Sequence, residues 1–453
     1  MTEMQPIKAR IIAVFQNLGT LLLLAIAFPI NFSVVLVSLL WNFFSRSFHK
    51  QVVLTDNPKN ILIGGGRMTK TLQLARSFHA VGHRVILVDI DKYWLSGHRF
   101  SRAVAGYYTV PAPQKDLEGY TQSLRAIAKK ENIDFFIPVA IFAVSYFDSK
   151  GEPVLSGCCE IFHFDADITK MLDDKFAFAE KARSLGLSVP KSFKIKDPEQ
   201  VLNFDFSQEK RKYILKSIPY DSLRRLNMTK LPCDTFDVTA AFVKSLPISE
   251  EKPWIMQEFI PGKEYCTHST VRDGELRLYC CCESSAFQVN YENVDKPEIM
   301  QWVKHFVQEL ELTGEISLDI IQADDGTVYP IECNPRTHSA ITMFYNHPGV
   351  ANAYLNKEPL VEPLQPLPDS KPTYWLYHEL WRLTGIRSLK QLQTWIINIL
   401  RGKEAIFEVD DPLPFLMVHH WQIPLLLLDN LRRLKGWVRI DFNLGELIES
   451  EEY

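Results

Sequence analysis

The sequence predicts an α/β domain followed by an α+β domain, with a hydrophobic helical segment in front of both. Three observations predict it. Residues 11–45 contain no Asp, Glu, Lys or Arg. The stretch "NILIGGGRMTKTLQLARSFHAVGHRVILVDID", residues 60–91, reads as an apolar run, a glycine turn, a helix and a second apolar run. From about residue 165, strand-like and helical pieces follow in mixed order and end on "SLDIIQADDGTVYPIECNPR", residues 317–336, a hairpin bearing carboxylates and an arginine.

A chain of 453 residues, 46% hydrophobic and 23% charged, is long enough for two to four domains around a sizeable core. The net charge of −4 offers no basic field for nucleic acid and leaves small-molecule chemistry as the better expectation. The cysteines, Cys158, Cys159, Cys233, Cys266, Cys280, Cys281, Cys282 and Cys333, show neither C-x-x-C spacing nor a His pair. They read as buried reduced thiols of a cytosolic chain.

The charge-free run at 11–45 is too long for the apolar core of a signal peptide, so it is expected to be retained. Residues 1–50 are taken as a membrane-associating segment. As one helix the run is longer than a simple span needs. Pro29 and Asn31 near its middle suggest two shorter helices. Lys8 and Arg10 before it, with Arg46 and Lys50 after it, assign both ends to the cytoplasmic side, as a re-entrant or interfacial hairpin.

The α/β domain is expected over about 57–150. Gly64, Gly65 and Gly66 do not match the dinucleotide fingerprint G-x-G-x-x-G. "GGGRMTKT" is closer to a P-loop ending in Lys70, but Thr69 stands where the second glycine should allow positive φ. Beyond it come a helix, "ITKMLDDKFAFAEKARSLG", strands within 191–282, a helix over about 297–312 and the hairpin. A proline-rich linker opens the C-terminal segment, 361–453.

In the hairpin, Asp325-Gly326 reads as a two-residue turn. That register pairs Asp324 with Thr327 and places Asp319 opposite Glu332 and Ser317 opposite Asn334. Alternation sets Glu332, Asn334 and Arg336 on one face and Ile331, Cys333 and Pro335 on the other. Two carboxylates facing across a ladder repel unless a cation lies between them. The all-oxygen set Asp319, Glu332 and Asn334 suits Mg²⁺ shared with nucleotide phosphates, and Arg336 is placed to hold a transferring phosphoryl group.

With these residues the chain resembles the ATP-grasp ligases: "IECNPR" after "SLDII" is similar to their metal hairpin, and "QEFIPGKE" (257–264) to their adenine hinge and ribose motif. The order of motifs agrees over about 57–360. The resemblance implies an ATP-grasp fold with a Rossmann-like N-terminal domain, an ATP-grasp domain over 151–360 and a lid at about 190–256. It implies ATP as co-substrate and Mg²⁺, two ions in such sites, with Mn²⁺ as an alternative. Lys175 and Lys216 would bind phosphates, Gln257, Glu258 and Ile260 adenine, and Glu264 the ribose. Asp319, Glu332 and Asn334 would hold metal; Arg336 and Lys216 would serve catalysis. The lid departs from the family because "SIPYDSLRRLNMTKLP", residues 217–232, has no glycine; Arg224 and Arg225 are offered in its place.

Longer stretches, among them "DKYWLSGHRFS", "HFDADITKMLDDKFAF" and "LKGWVRIDFN", resemble the branch of that family that joins glycine to 4-deoxygadusol. That implies glycine and 4-deoxygadusol as substrates, with His338, Ser339 and His268 near the ring or the amine. A homo-oligomer is compatible with it, as is a location at the cytoplasmic face of a membrane. Other readings are a ligase joining an amino acid to a carboxylate, a membrane-attached nucleotide-binding protein without turnover, and a P-loop phosphotransferase using Lys70.

Overall fold

The computed structural model describes residues 7–45, 54–139, 142–218, 224, 227–284 and 290–449. The N-terminal segment is one helix, α1 (Ile7–Ser45), with Pro29 inside it, and not two. The expected break fails because Asn31 has tertiary partners: its amide bonds Tyr377 Oη at 2.7 Å and His420 Nε2 at 2.8 Å. An Asn held this way has no need to turn the local backbone.

The α/β domain is built from β1 (Asn60–Ile63), α2 (Thr69–Ala80), β2 (Arg84–Ile90), β3 (Gly106–Val110), α3 (Leu117–Glu131), β4 (Phe135–Ile137), α4 (Phe142–Leu155) and β5 (Glu160–Ile161). Its sheet runs in the order β3-β2-β1-β4-β5 and is parallel throughout. Parallel strands need covering on both faces, which explains why Ile61, Leu62 and Ile63 are all fully buried. The sheet takes its last strand at 160–161, so the domain extends past residue 150.

The predicted helix at 168–186 is two helices, α5 (Ala166–Asp173) and α6 (Lys175–Ser184). Asp174 breaks it by turning its carboxylate onto the Phe176 and Ala177 N–H groups, an N-cap that starts a second helix. The stretch expected to form the lid holds β6 (Ser192–Ile195), α7 (Pro198–Leu202), β7 (Tyr213–Ser217), α8 (Phe236–Lys244) and β8 (Trp254–Glu258), with sheet order β6-β8-β7. Residues 219–223, 225 and 226 of the glycine-free stretch, Arg225 among them, lie outside the described residues.

The chain continues with β9 (Lys263–Arg272), β10 (Glu275–Glu283), β11 (Asn290–Tyr291), α9 (Pro297–Glu309), β12 (Gly314–Gln322) and β13 (Val328–Asn334). β10-β9-β12-β13 form an antiparallel sheet. One face packs on α5, α6 and α9 through Tyr265, Val271, Ile316, Leu318, Phe178 and Phe306. The other face, carrying Cys266, Cys280 and Cys282, joins the core beneath the α/β domain. All eight cysteines are free thiols, and those on this sheet are buried.

The remainder comprises α10 (Val350–Leu355), β14 (Thr373–Tyr374), α11 (Leu376–Leu383), α12 (Leu389–Arg401), β15 (Lys403–Glu404), α13 (Leu413–Met417), α14 (Ile423–Arg432), β16 (Arg439–Asp441) and β17 (Glu446–Ile448). A π-turn at Val418–Gln422 joins α13 to α14. Ile406, Phe415, Val418, Ile423 and Leu427 share one buried cluster with Leu72 and Phe78 of α2. The C-terminal segment is therefore part of the main core.

Candidate active site

The hairpin reaches the predicted pairing by two compensating departures. Its turn has three residues, Asp324, Asp325 and Gly326, closed by the Ala323 N–H donating to the Thr327 carbonyl at 2.9 Å. Gly326 takes a φ of 85°, which glycine adopts at no cost. Asp324 thus does not pair with Thr327, and the ladder starts one residue out of the expected register. Ile320 then faces Pro330, while Asp319 faces Glu332: a bulge between them inserts Ile331 and restores the register. Pro330 has no N–H to donate, so the ladder yields there. The bulge also moves Ile331 to a half-buried position away from the core face that strict alternation gave it, while Cys333 stays in the core.

The restored register sets Asp319 opposite Glu332 and Ser317 opposite Asn334. Two cationic side chains sit on these oxygens. The Lys175 ammonium, at the first position of α6, lies 3.1 Å from Glu332 Oε1. Arg336 Nη2 donates to Asn334 Oδ1 at 2.6 Å. Burial, and after it Glu332, pushes the Asp319 carboxyl well above the ordinary aspartate range. Burial also opposes charge on Glu332, but Lys175, Lys216 and Arg336 outweigh it and hold Glu332 below the ordinary range. The facing Asp319 and Glu332 carboxyls, with Lys175 on Glu332 and Arg336 on Asn334, form a donor set that fits a divalent cation. Among the described residues no group of three or more His, Cys, Asp or Glu gathers around a metal position. Two carboxylates and an amide oxygen make an incomplete cage, of the kind Mg²⁺ completes with phosphate oxygens and water.

The remaining predicted residues fall into two sets. Lys216 lies on β7 beside Ile255 of β8, close enough to lower Glu332, so both predicted phosphate lysines converge on the hairpin. Gln257 and Glu258 end β8, and Ile260 follows them, buried. The Glu258 N–H donates to the Lys191 carbonyl at 2.8 Å, and its carboxylate lies 3.4 Å from Arg211. Glu264, exposed at the start of β9, accepts from Ser284 Oγ at 3.0 Å and adds to the negative field at Asp319.

His268, Ser339 and His338 lie deeper. His268 is fully buried, 3.5 Å from Glu315 Oε2, and its Nδ1 accepts the His338 N–H at 3.3 Å. Burial, then His338 and Lys70, depress its pKa far below the ordinary value, so the ring is neutral. Ser339 Oγ accepts from Asn443 at 2.8 Å, and the half-buried His338 ring stands edge-on to Tyr291.

The glycine turn does not cradle phosphate as a P-loop would. The Gly64 and Gly66 N–H groups donate to the Ile137 and Val88 carbonyls, and Thr71 Oγ1 donates to the Gly64 and Gly65 carbonyls. Lys70 points away from the turn and donates to the Thr337 carbonyl, three residues past Asn334, at 2.7 Å. Burial, then Arg336, lowers its pKa to about 7. Glu315 completes this deep cluster: burial raises its carboxyl to about 8, against hydrogen bonds from its neighbours, and Oε1 accepts from Thr270 at 2.9 Å. Sequence reading missed Glu315 and gave Lys70 no role outside the P-loop alternative it disfavoured. The signal for Glu315 was available, because it precedes Ser317 and Asp319 by the strand period of two.

Residues 172–340 match the ATP-grasp domain family. The fold is ATP-grasp. Among solved structures, a carboxyaminoimidazole ribonucleotide synthase from Aspergillus clavatus, complexed with ATP, is 14% identical, with 70% of this chain and 80% of that one covered at a TM-score of 0.50. The biotin carboxylase domain of Hydrogenobacter thermophilus 2-oxoglutarate carboxylase, solved with MgADP, ADP and bicarbonate, is 12% identical over 67% and 71%, at 0.50. An L-amino acid ligase from Bacillus licheniformis is 16% identical over 62% and 68%, at 0.47. At these identities the likeness is one of fold. No curated protein matches the sequence. Residues 172–340 thus carry an ATP-grasp domain.

Proposed function

We propose that this ATP-grasp enzyme is a carbon–nitrogen ligase that phosphorylates the enol oxygen of 4-deoxygadusol and condenses it with glycine, giving mycosporine-glycine, ADP and phosphate. The observation that carries the ligase reading is the placement of Lys175 on Glu332 and Arg336 on Asn334, with Asp319 facing Glu332. Carboxylates, an amide and cations gathered on one strand pair are the parts that phosphoryl transfer needs, since its catalysis is mostly positioning and charge stabilisation. The choice of acceptor and amine rests on the sequence resemblance to the cyanobacterial mycosporine-glycine synthase.

In this reading Asp319, Glu332 and Asn334 hold Mg²⁺, which when bound offsets the charge of the nucleotide phosphates. Lys175, leaving Glu332, and Lys216 bind those phosphates as point charges, the task lysine suits. Gln257, Glu258 and Ile260 line the adenine, and Glu264 accepts from the ribose hydroxyls. Arg336 stabilises the phosphoryl group as it passes from ADP to the acceptor oxygen. An enolised 1,3-diketone is a vinylogous acid, so its enolate oxygen takes the phosphoryl as a carboxylate would. The amine of glycine then forms the C–N bond at that carbon, the C–O bond to phosphate breaks, and the amine gives up a proton. Lys70, Glu315, His268, His338 and Ser339 lie on the acceptor side of Arg336 and shape that end of the site. The same chemistry serves an amino acid and a carboxylate, which is the second reading. The enzyme works at the cytoplasmic face of a membrane, held there by α1.

ADP release measured with Mg²⁺-ATP against a panel of acceptor and amine pairs tests this. Release only when 4-deoxygadusol and glycine are both present supports the first reading. Release with a carboxylate and an amino acid instead supports the second, and none with any pair overturns the ligase.

A further inference from the structure

We infer that α1 lies in the plane of one membrane leaflet along its whole length, as a lipid-embedded rail on which the catalytic body rides. The inference rests on the membrane reading above and adds its geometry and partner.

α1 is an amphipathic helix turned inside out. Its amide side chains face the protein. Gln16 Nε2 donates to the Trp437 carbonyl at 2.8 Å, Asn17 Nδ2 to the Lys435 carbonyl at 2.9 Å, and Asn42 Nδ2 to the Val409 carbonyl at 2.6 Å. Asn31 reaches Tyr377 and His420 between them. Its apolar side chains face outward: Phe15 is 71% exposed, Leu23 68% and Phe44 74%. At about 100° per residue, the buried Ala13, Asn17, Leu24, Asn31, Val35 and Ser38 cluster within about 60° of the helix circumference. The exposed apolar residues fill about two-thirds of the circumference.

Two consequences follow. The segment from Gln16 to Asn42 is about 39 Å long, against a hydrocarbon core of about 30 Å. Because both of its ends are bonded to one body, a membrane-spanning α1 would carry that body into the lipid, so the helix lies flat. Second, the partner is lipid. A helix from another copy covers a stripe of about 100°, well short of this face, whereas acyl chains wrap all of it.

A neighbouring surface has the charge that such a position needs. Leu380–Lys403 holds Arg387, Lys390 and Arg401 and no Asp or Glu, while its Arg382 and Lys403 pair with Glu379 and Glu408 outside it. It spans the end of α11 and all of α12, which has no buried residue, and it exposes Trp381, Leu389 and Leu400. A basic amphipathic segment of this kind binds anionic headgroups. α11 touches α1 through the Tyr377–Asn31 bond, so both elements meet the same leaflet.

The full chain, expressed in bacteria as Lys8→Cys, Leu23→Cys or Ser45→Cys, is treated with an impermeant maleimide, and labelled sites are identified by peptide mass so that native thiols do not interfere. Lys8→Cys and Ser45→Cys are expected to label in inverted membrane vesicles and in neither case in spheroplasts, with Leu23→Cys labelled only after detergent. Labelling of either end in spheroplasts overturns the flat geometry while leaving membrane attachment standing. Wild-type protein that never sediments with membranes overturns the attachment itself. A soluble dimer in which Leu23→Cys is protected without lipid assigns the face to a second copy and overturns the partner. Leu22→Glu/Leu23→Glu/Ile26→Glu is expected to lose membrane sedimentation and keep ADP release.

Discussion

At the scale of single residues, the site is a balance of buried charges. Glu332→Ala or Asn334→Ala is expected to abolish ADP release with folding retained, because neither side chain belongs to a buried apolar cluster. Turnover near wild type at saturating Mg²⁺ would refute the metal assignment. Glu315 gives a prediction for stability. Its folded pKa, about 8, lies above the ordinary value of about 4.3, so the neutral folded form contributes stability that is complete below pH ~4.3 and lost as pH rises through about 8. Glu315→Gln removes that loss: its Tm is expected to exceed wild type at pH 8.5 and to approach it at pH 4.5. A lower Tm for the variant at pH 8.5 would show that the carboxylate is charged in the fold. Glu332 and Asn334 were legible because strand alternation is local. The role of Lys70 was not, since its partner at Thr337 lies 267 positions away.

At the scale of elements, the hairpin shows how far pattern reading reaches. Its strands, its carboxylate pair and its turn region were all readable, yet the turn holds three residues and the bulge at Ile331 cancels the shift. A bulge depends on how Pro330 meets a neighbouring strand, which no local pattern reports. Asp411, just before α13, was passed over by sequence reading and ties the C-terminal segment to the α/β domain. It accepts from Arg76 Nε at 2.9 Å, Ser101 Oγ at 2.6 Å and the Arg102 N–H at 2.9 Å. Asp411→Ala would leave the Arg76 guanidinium in a buried site without its carboxylate, and a loss of about 3–5 kcal/mol in unfolding free energy is expected in urea denaturation. A change under 1 kcal/mol would mean that solvent reaches the pair.

At the scale of the whole molecule, the C-terminal segment and α1 behave as parts of one body. Arg67 of the glycine turn bonds both Asp89, at 2.8 Å, and Glu446, at 2.9 Å, while Trp375 Nε1 donates to Thr69 Oγ1 at 3.0 Å. Truncation after residue 360 is therefore expected to yield insoluble or protease-sensitive protein, and a soluble, ATP-binding fragment resistant to limited proteolysis would contradict it. By itself the sequence determined the long apolar helix, the glycine-turn α/β unit, the strands of the hairpin and the pairing of Asp319 with Glu332 and Ser317 with Asn334. These follow from periodicity and turn chemistry within a few residues. Only the tertiary structure decided that α1 stays unbroken at Pro29, that Lys70 serves the hairpin rather than a P-loop, that Glu315 joins the site, and that residues 361–453 belong to the core. Each of those depends on which distant groups share a buried space, where the cost of an unpartnered polar atom outweighs local preference.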